Sequence, residues 1–404
     1  MVLDPHDRFD RLRAEWAALA DRYLPVVTPG SPWRSSVAGT PSDFPDQGWK
    51  LHLSATILSA PRLLRRAGPV LRRHGAVFKG PEDLVFLDRL NTGLDGFSQI
   101  GKCLTVYCRS TTDAAELAPA LHQATLGLPH PAVPFDRRYR EGSAVYYRYG
   151  AFQEDFLVDP EGHAAPDRRE SGRAVPNWVS DPLAGQTVPA APPAPSPLAE
   201  KYRVFQALRK RGKGGVFLAL DVTASPPRLC IVKQGLKHGE PGPDRRDGHW
   251  RVRREARALR SLRRRGIPVP QVFAEFDVED GHYVVLEHVE GTGLDQVISA
   301  GITALQARRL SRELSQLVRA IHNAGWTWRD CKPENIIVTG SGELRPLDFE
   351  GASRRGEKPA YPFNTPSYRA PLPAPGRPSK PHVEDRHSLR LVRRELMDAA
   401  GLTR

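Results

Sequence analysis

Cysteines and long hydrophobic runs are scarce in this sequence, and each scarcity argues against a class of protein. The four cysteines among 404 residues form no Cys-x-x-Cys pair, so neither a zinc site nor a disulfide framework is indicated, and reduced thiols are typical of the cytoplasm. No apolar segment approaches the roughly 20 residues that cross a bilayer. Asp4, Asp7 and Arg8 are unlike the start of a secretory signal peptide. We therefore expect a cytoplasmic protein with no membrane contact.

Acidic residues are outnumbered by basic ones, 46 to 59, which leaves a net charge of +13. A chain this basic favours anionic partners such as nucleotides, phosphopeptides, acidic peptides or nucleic acid. A nucleic-acid binder needs aromatic residues interleaved on a basic face or a known reading module. The sequence offers neither, so we expect no nucleic-acid partner. The length predicts two to three domains, and 40% hydrophobic residues suffice for a real core.

The first half alternates helical and strand-like patterns. Strict alternation over 48–54 predicts a half-buried strand, with Leu51 and Leu53 on one face and Lys50 and His52 on the other. The apolar spacing predicts helices over 8–23, 63–73 and 113–126, and strands over 76–79, 102–107 and 144–149. Helices mixed with strands on one sheet predict an α+β domain over residues 1–184.

The second half is organised around two short segments, Trp-Arg-Asp-Cys-Lys-Pro-Glu-Asn at 328–335 and Leu-Asp-Phe-Glu at 347–350. Their spacing resembles the catalytic loop and the metal-binding turn of a protein kinase. Phosphoryl transfer consists mostly of positioning and charge neutralisation. The predicted roles are proton acceptor for Asp330, phosphoryl contact for Lys332, and Mg²⁺ ligand for Asn335 and Asp348.

Two residues depart from that pattern, because Trp328 replaces the usual histidine and Glu350 the usual glycine. Neither change removes a catalytic group. The competing interpretation is a surface loop with carboxylates there by chance, which the upstream segments disfavour because they follow in kinase order. The predicted ATP-binding residues are Gly212, Gly214 and Gly215 of a glycine-rich turn, Lys233 at a strand, Glu255 on a helix, and Glu287 and Val289 at the adenine hinge. A surface ion pair is the alternative for Glu255.

A segment rich in proline and alanine separates the two halves. It predicts a semi-rigid linker over 185–200, followed by a kinase N-lobe over 201–290 and a C-lobe over 291–404. Asp385 in the last predicted helix is expected to brace the catalytic loop. Few residues follow that helix, so we expect a bilobal kinase-like domain with a short C-lobe, either minimal or completed by a partner.

Basic side chains of the first half need an explanation of their own. Clustered cations repel one another unless an anion lies among them, and a phosphate monoester suits such a pocket. The same crowding lowers a lysine pKa, so that a neutral Lys79 could remove the proton α to a peptide carbonyl. A protonated His52 could donate to the departing phosphate, which amounts to β-elimination from phosphoserine or phosphothreonine. The alternative is a solvated basic face.

The segments 48–55, 78–79, 101–102, 136–140 and 147–150 resemble the N-terminal lyase domain of class III and IV lanthipeptide synthetases, which is itself similar to bacterial effector phosphothreonine lyases. The resemblance implies a phosphothreonine-lyase-like α+β domain followed by a Ser/Thr kinase domain. The implied roles are base for Lys79, acid for His52, and phosphate binding for Lys50, Lys102, Arg138 and Arg148.

Those synthetases end in a zinc-dependent cyclase domain, which this sequence does not include, so the resemblance implies a separate cyclase, or a pathway that stops at dehydration or cyclises otherwise. The hypothesis is a bifunctional dehydratase that uses ATP and Mg²⁺ to phosphorylate Ser/Thr of a precursor peptide and then eliminates phosphate. Two alternatives stay open: a Ser/Thr kinase with a non-catalytic N-terminal docking domain, and a catalytically inactive kinase-like scaffold.

Overall fold

The computed structural model describes residues 5–39, 41–153, 155–185, 197–278, 281–357, 365–371 and 382–402. The central part of the predicted linker, 186–196, lies outside these residues. The chain divides into two compact units. The N-terminal unit comprises Met1–Ala194, Lys210–Gly214 and Leu236–Gly248, and the C-terminal unit comprises Pro195–Arg209, Gly215–Gly235 and His249–Arg404. Both mix helices and sheets, which confirms the predicted α+β class.

The first half of the chain builds one seven-stranded sheet with helices packed on it. The helices are α1 (Pro5–Tyr23), α2 (Ala60–Arg73), α3 (Leu84–Thr92) and α4 (Thr111–Thr125). Its strands are β1 (Val26–Val27), β2 (Trp33–Ser35), β3 (Gln47–Ser54), β4 (Val77–Pro81), β5 (Lys102–Tyr107), β6 (Arg137–Arg138) and β7 (Val145–Ala151). The order in this sheet is β1-β2-β4-β5-β3-β7-β6, and neighbouring strands run antiparallel. Strands β8 (Phe156–Val158) and β9 (Ala164–Pro166) pair in a separate two-stranded sheet.

Strand β3 lies near the centre of this sheet, between β5 and β7. Leu51 and Leu53 are fully buried in the core that the helices cover. The opposite face is buried as well, since Lys50 is 8% and His52 3% exposed. The expectation of a half-buried strand was therefore wrong for that face. Segments carrying Asp136 and Asp167 reach over it, and their carboxylates contact the basic side chains.

Helix α3 was not predicted, although its end signals stand in the sequence. The Asp83 carboxylate caps the helix by accepting from the Phe86 N–H at 2.8 Å. Gly93 ends it in the left-handed conformation, with φ of 77°. The other predicted helices and strands of this half correspond to α1, α2, α4, β3, β4, β5 and β7, with shifted ends.

The second half forms a small sheet followed by a mostly helical region. The helices are α5 (Pro197–Lys201), α6 (Gly248–Arg263), α7 (Leu294–Ser299), α8 (Ala304–Asn323) and α9 (Val383–Ala399). The strands are β10 (Tyr202–Arg211), β11 (Gly214–Asp221), β12 (Arg228–Leu236), β13 (Val272–Val278), β14 (Gly281–Glu287), β15 (Thr292–Gly293), β16 (Trp326–Thr327), β17 (Ile336–Val338), β18 (Leu344–Pro346) and β19 (Ser353–Arg354). Strands β10–β14 form a five-stranded sheet in the order β10-β11-β12-β14-β13.

Helix α8 shows why these elements form where they do. Thr303 and Gln306 exchange hydrogen bonds in a capping box at its start. Its apolar stripe, which includes Leu310, Leu314 and Ile321, is buried against α9. The segment that follows α8 forms strand β16, which pairs antiparallel with β19. Within the described residues, no helix is both long enough and apolar enough to span a membrane.

Candidate active sites

A cavity of about 300 Å³ opens in the C-terminal unit. Its lining includes Ile231, Lys233, Leu286, Val289, Asn335 and Asp348. Ring nitrogen Nδ1 of His288, also in the lining, is buried without a hydrogen-bond partner among the described residues, and such an atom favours a polar ligand. The Glu287 N–H is taken by the Gln271 carbonyl at 2.9 Å. The Glu287 carbonyl is thus the group there that can read an adenine.

Lys233 lies at the back of this cavity, held by two carboxylates. Its ammonium donates to both oxygens of Glu255 at 2.8 Å and to Asp348 at 3.3 Å. Burial by itself would lower the pKa of Lys233, but Asp348 and Glu255 outweigh burial and raise the pKa above its usual value. The lysine therefore stays charged. Glu255 forms this pair and not a surface ion pair, as its carboxylate is buried and also accepts the Phe349 N–H at 3.1 Å.

Two side chains of the predicted catalytic loop contact the carboxylate of Asp330 in the same loop. The Asn335 side-chain amide donates to the Asp330 carboxylate at 2.7 Å, and the Lys332 ammonium lies 3.4 Å from it. Lys332 also donates to the Thr365 hydroxyl at 2.7 Å. Burial and the nearby Asp348 carboxylate raise the pKa of Asp330. Asp330 is thus a carboxylate with increased basicity, placed beside a cation.

Asn335 and Asp348 offer a suitable pair of ligand atoms for a divalent ion. The Asn335 amide nitrogen is used by Asp330, so its side-chain oxygen is the atom left to bind a metal. Asp348 adopts a left-handed backbone with φ of 58° at the turn after β18, and its carboxylate lines the same cavity. Two hard oxygen ligands next to a nucleotide-sized cavity fit a Mg²⁺ that carries phosphates.

The unusual Trp328 makes contacts that explain its place. Its indole N–H lies 3.0 Å from both the Leu347 and the Asp348 carbonyl oxygens, and its ring stacks on Phe349 at 5.4 Å. Trp328 thus joins the catalytic loop to the metal-binding turn. The next residue, Arg329, has φ of 74°, and the Asp385 carboxylate accepts the Trp328 and Arg329 N–H groups at 2.8 and 2.6 Å. The bracing role predicted for Asp385 is confirmed.

The glycine-rich turn needs a correction. Gly212, Gly214 and Gly215 are absent from the described lining of the cavity, which instead includes Leu208, Arg209 and Val216 on either side of the turn. Gly212 and Gly214 belong to the N-terminal unit, where the Gly212 N–H donates to the Thr92 carbonyl at 3.2 Å. A Cβ at Gly212 would lie 1.7 Å from the Asn91 carbonyl oxygen. Close backbone packing therefore explains this glycine, and the structure does not support phosphate contact.

In the N-terminal unit, strand register gathers the predicted basic residues on one face of the sheet. His52 pairs with Thr105 on β5 and with Tyr146 on β7. Thr105 in turn pairs with Lys79 on β4, and Tyr146 with Arg138 on β6. The residues of this row are Lys79, Thr105, His52, Tyr146 and Arg138, in that order across five strands. The neighbouring row contains Tyr107, Lys50 and Arg148.

Lys102 joins this face through a β-bulge. Between Leu53 and Ser54 the register on β5 shifts from Leu104 to Lys102, so that Cys103 is the extra residue. A bulge turns the following side chain to the other face. Lys102 therefore lies beside Ser54, on the side of Lys50 and His52. Alternation along 102–107 would have placed it in the core with Leu104.

Two carboxylates that the sequence analysis did not assign complete the site. Asp136 contacts the His52 ring nitrogen Nδ1 at 2.5 Å and the Lys102 ammonium at 3.5 Å. Asp167 forms a bidentate ion pair with Arg148, in which Nη1 of the arginine donates to Oδ2 of the aspartate at 3.2 Å. The possible signal was that each acid precedes a pair of arginines, in Asp136-Arg137-Arg138 and Asp167-Arg168-Arg169. Nothing local in the sequence tied those acids to β3.

Burial and mutual repulsion lower the pKa values of the lysines. Burial, with Arg148 adding to it, lowers the pKa of Lys50 to about 7. Burial lowers the pKa of Lys102 to about 8, although Asp136 opposes the shift. Burial, together with Arg169, also lowers the pKa of Lys79, whose ammonium lies 4.7 Å from the Trp33 ring centre. The predicted neutral fraction of lysine is therefore supported.

The pKa of His52 is lowered as well. Burial and the Lys102 charge lower the pKa of His52 to about 3, against the opposing effect of Asp136. The imidazole is thus neutral in the free site at neutral pH, whereas the predicted acid role needs a protonated ring. A bound phosphate dianion would shift the pKa upward again, because an opposite charge nearby favours the charged form. Arg138 contacts the Tyr146 hydroxyl at 2.8 Å at the end of the row.

Comparison with known protein families matches both halves of the chain. Residues 27–194 match the family described as RamC, N-terminal domain. Residues 222–384 match the protein kinase domain. The two matches follow in the order that the sequence motifs predicted, which confirms the resemblance.

Individual relatives agree with this division. The "Probable SapB synthase" of Streptomyces coelicolor is 28% identical over 400 residues, which covers 91% of this chain and 42% of that protein. The "Putative cyclin-dependent kinase F-2" of Oryza sativa is 34% identical over 217 residues, covering 50% of this chain and 64% of that protein. "Serine/threonine-protein kinase D" of Synechocystis is 28% identical over 155 residues, or 38% of this chain and 30% of that protein. The chain thus spans less than half of the synthase.

Proposed function

The chain carries a RamC N-terminal domain followed by a protein kinase domain, and from this pairing we propose that it is a bifunctional dehydratase of a lanthipeptide-type precursor. In this proposal the kinase domain phosphorylates Ser or Thr side chains of the peptide with ATP. The N-terminal domain then eliminates the phosphate, which leaves dehydroalanine or dehydrobutyrine. The net change at each site is the loss of one water.

In the phosphorylation step, Asp330 accepts the proton of the substrate hydroxyl while the hydroxyl oxygen attacks the γ-phosphorus of ATP, and the bond to the β-phosphate oxygen breaks to release ADP. Lys233 holds the α- and β-phosphates while Glu255 keeps it in place, and Lys332 contacts the transferred group. Asn335 and Asp348 would hold Mg²⁺, which would neutralise charge on the phosphates. The support for these roles is the contact network around Lys233 and Asp330.

In the elimination step, neutral Lys79 removes the α-proton of the phosphorylated residue. The electrons of that C–H bond form the Cα=Cβ double bond, and the Cβ–O bond breaks to release phosphate. His52, protonated once the dianion is bound, donates a proton to the leaving oxygen, while Asp136 holds the other ring nitrogen. The candidate phosphate ligands are Lys50, Lys102, Arg138 and Arg148. The step needs no metal.

A single observation carries the proposal for the N-terminal domain: one buried face brings together the base and acid candidates with four further cations. A solvated basic face is disfavoured, because Lys50, His52, Lys102 and Arg148 are each less than a tenth exposed. Burying cations that lack sufficient anionic partners costs free energy. Binding of a doubly charged phosphate offsets that cost.

The proposal implies a precursor peptide as substrate and a cyclase activity for ring closure. It also implies ATP and Mg²⁺ as the working cofactors, in the cytoplasm. Carrying both activities on one polypeptide raises the local concentration of phosphopeptide at the second site.

The test separates the two steps by mass spectrometry. The wild-type protein is incubated with ATP, Mg²⁺ and the peptide encoded beside its gene, and in parallel with a synthetic phosphoserine peptide without ATP. We expect dehydrated product in both reactions. Lys79→Ala should leave phosphopeptide in both, and Asp330→Ala should fail only in the first. Stable phosphopeptide from the wild-type protein would instead identify a kinase with a docking domain, and ATP binding without turnover would identify a scaffold.

A further inference from the structure

A cluster of metal-ligating side chains lies in the C-terminal unit, away from the cavity described above. His249 stands in the first turn of α6, while Asp277 and His282 form a cross-strand pair on β13 and β14. One ligand atom from each of the three lies within 4.8 Å of the others. Glu275, also on β13, contacts the other ring nitrogen of His282, Nε2.

The distances suit a small, four-coordinate ion. His282 Nδ1 lies 2.9 Å and His249 Nε2 3.4 Å from the same Asp277 oxygen. A tetrahedral zinc ion with bonds of about 2.0–2.1 Å holds its ligand atoms about 3.3 Å apart. The Asp277 side chain is 67% exposed, whereas that of His282 is 4% exposed. Water can therefore reach the fourth position from the Asp277 side.

The surroundings of His282 provide an independent observation. Both ring nitrogens of this buried imidazole face carboxylates, Nδ1 toward Asp277 and Nε2 toward Glu275, each at 2.9 Å. A neutral imidazole has a single N–H. If Nε2–H donates to Glu275, the lone pair of Nδ1 points at a carboxylate oxygen, which is repulsive unless a cation lies between them.

The Glu275 contact has the form of an outer-shell interaction. A histidine that binds a metal usually donates its other ring N–H to a carboxylate, which fixes the tautomer and the ring orientation. Glu275 is in turn held by an ion pair with Arg260 on α6. The support for the ring thus comes from the same helix that supplies His249.

We propose that His249, Asp277 and His282 bind a structural Zn²⁺, oriented by Glu275, and that the ion fastens the start of α6 to the β13–β14 hairpin. Helix α6 also carries Glu255, which contacts Lys233 at 2.8 Å. A metal at its first turn would hold the helix in the position that this ion pair requires. The site would thereby act on nucleotide binding, a consequence that rests on the proposed kinase activity.

The competing explanation is an imidazolium ion pair. A doubly protonated His282 between two carboxylates needs no metal, and Arg253 is a further cation that acts on Asp277. The two explanations differ in whether the protein takes up zinc at these residues. They also differ in whether a substitution changes zinc affinity or only pH-dependent stability.

The first experiment measures zinc binding by the full chain, purified without a polyhistidine tag and freed of metal. We expect one tight equivalent of Zn²⁺, and visible absorption typical of tetrahedral coordination when Co²⁺ replaces it. His249→Gln and Asp277→Asn should each weaken zinc binding at least about 100-fold, and Glu275→Gln about 10- to 100-fold. His163→Gln is the matched control, since it alters the exposed Asp159–Glu161–His163 cluster of the N-terminal unit, and it should leave tight binding intact.

Zinc affinity unchanged in the His249→Gln/Asp277→Asn double variant would overturn the proposal, as would the lack of any zinc binding at micromolar concentration. The melting temperature of each variant without zinc shows whether it is folded. Zinc should raise the melting temperature of the wild-type protein but not that of the double variant.

A second measurement addresses α6. At constant Mg²⁺, saturation with zinc should tighten ATP binding several-fold in the wild-type protein and have no effect in His249→Gln. Tight zinc binding with unchanged ATP affinity would keep the metal site and reject its action on the helix. Zinc affinity and the zinc-dependent melting temperature do not require kinase activity. A protein without kinase activity would therefore contradict the proposed function but not the proposed metal site.

Discussion

The two sites use the same residue type in opposite ways. In the N-terminal domain, lysines lie among other cations, and burial with their repulsion lowers the pKa of Lys50 to about 7. In the kinase domain, Lys233 lies between two carboxylates, which raise its pKa. Burial acts in the same direction at both sites, so the sign of the neighbouring charges decides the outcome. The same residue type thus has a lowered pKa in one domain and a raised pKa in the other.

Removing the kinase acceptor should have the largest effect. Asp330→Asn keeps the shape of the side chain but not its basicity, and we expect phosphorylation of the precursor to fall about 10²- to 10⁴-fold. Elimination from a synthetic phosphopeptide should be unchanged, because Asp330 belongs to the other domain. Glu343→Gln, outside the cavity lining, is the control. Loss of both reactions in Asp330→Asn would contradict the separation of the two sites.

Replacing the elimination base should come next. Lys79→Arg keeps the positive charge but cannot act as a base, because arginine stays protonated. We expect elimination to fall about 10²- to 10⁴-fold while phosphorylation continues, so that phosphopeptide accumulates. Lys210→Arg is a matched control elsewhere in the chain. Normal elimination by Lys79→Arg would show that charge, not proton removal, is what the enzyme needs at this position.

The Asp136 carboxylate should have an intermediate effect. Asp136→Asn removes the charge that opposes further lowering of the His52 and Lys102 pKa values, and it weakens the hold on the imidazole. We expect kcat for elimination to fall at least about 10- to 100-fold, the range known for carboxylates that orient a metal-binding histidine. Asp181→Asn, which removes the ion pair with Arg137, is the control. An equal loss in both variants, with equal loss of stability, would indicate a purely structural role.

The pH dependence should differ between the two reactions. Lysine is neutral above its pKa, so kcat/KM for elimination rises as Lys79 loses its proton and falls as Lys50 and Lys102 lose charge near pH 7 and 8. Lys102→Arg should extend activity to higher pH, because arginine keeps its charge. Phosphorylation should instead decline only on the acidic side, as Asp330 becomes protonated. Identical pH profiles for elimination and phosphorylation would contradict the different charge environments assigned to the two sites.

The smallest expected effect concerns Trp328. Trp328→Phe keeps the stacking on Phe349 but removes the N–H that contacts the Leu347 and Asp348 carbonyls. Loss of one such hydrogen bond costs about 0.5–1.5 kcal/mol, so we expect a modest fall in melting temperature and a several-fold slower phosphorylation. Trp178→Phe, at a partly exposed position, is the control. A larger loss from Trp328→Phe than from Asp330→Asn would be inconsistent with the assigned roles.

Much of the fold and of the kinase site could be predicted from the sequence, because both depend on local patterns. Alternation identified β3, and the spacing from Asp330 to Asn335 identified the catalytic loop. Asp136 and Asp167 could not be predicted, since only the folded chain brings them over β3. The bulge at Cys103 was equally hidden, because a one-residue slip between two strands leaves no trace in either strand alone.

The same limit explains where the predictions fell short. The glycine-rich turn matched a phosphate-binding pattern, yet Gly212 packs closely against the Asn91 backbone. The face of β3 that carries Lys50 and His52 was expected to be exposed, because a strand pattern gives no measure of what covers it. Burial also lowers the pKa of His52, which no sequence pattern indicates.

The substitution at position 328 also bears on how the enzyme responds to acid. An imidazole at this junction would gain a proton in mildly acidic medium and would then need a second acceptor. An indole has no site that titrates in that range. Its N–H contacts with the Leu347 and Asp348 carbonyls therefore persist at mildly acidic pH. Position 328, between the predicted catalytic loop and the predicted metal-binding turn, therefore adds no group that titrates in that range.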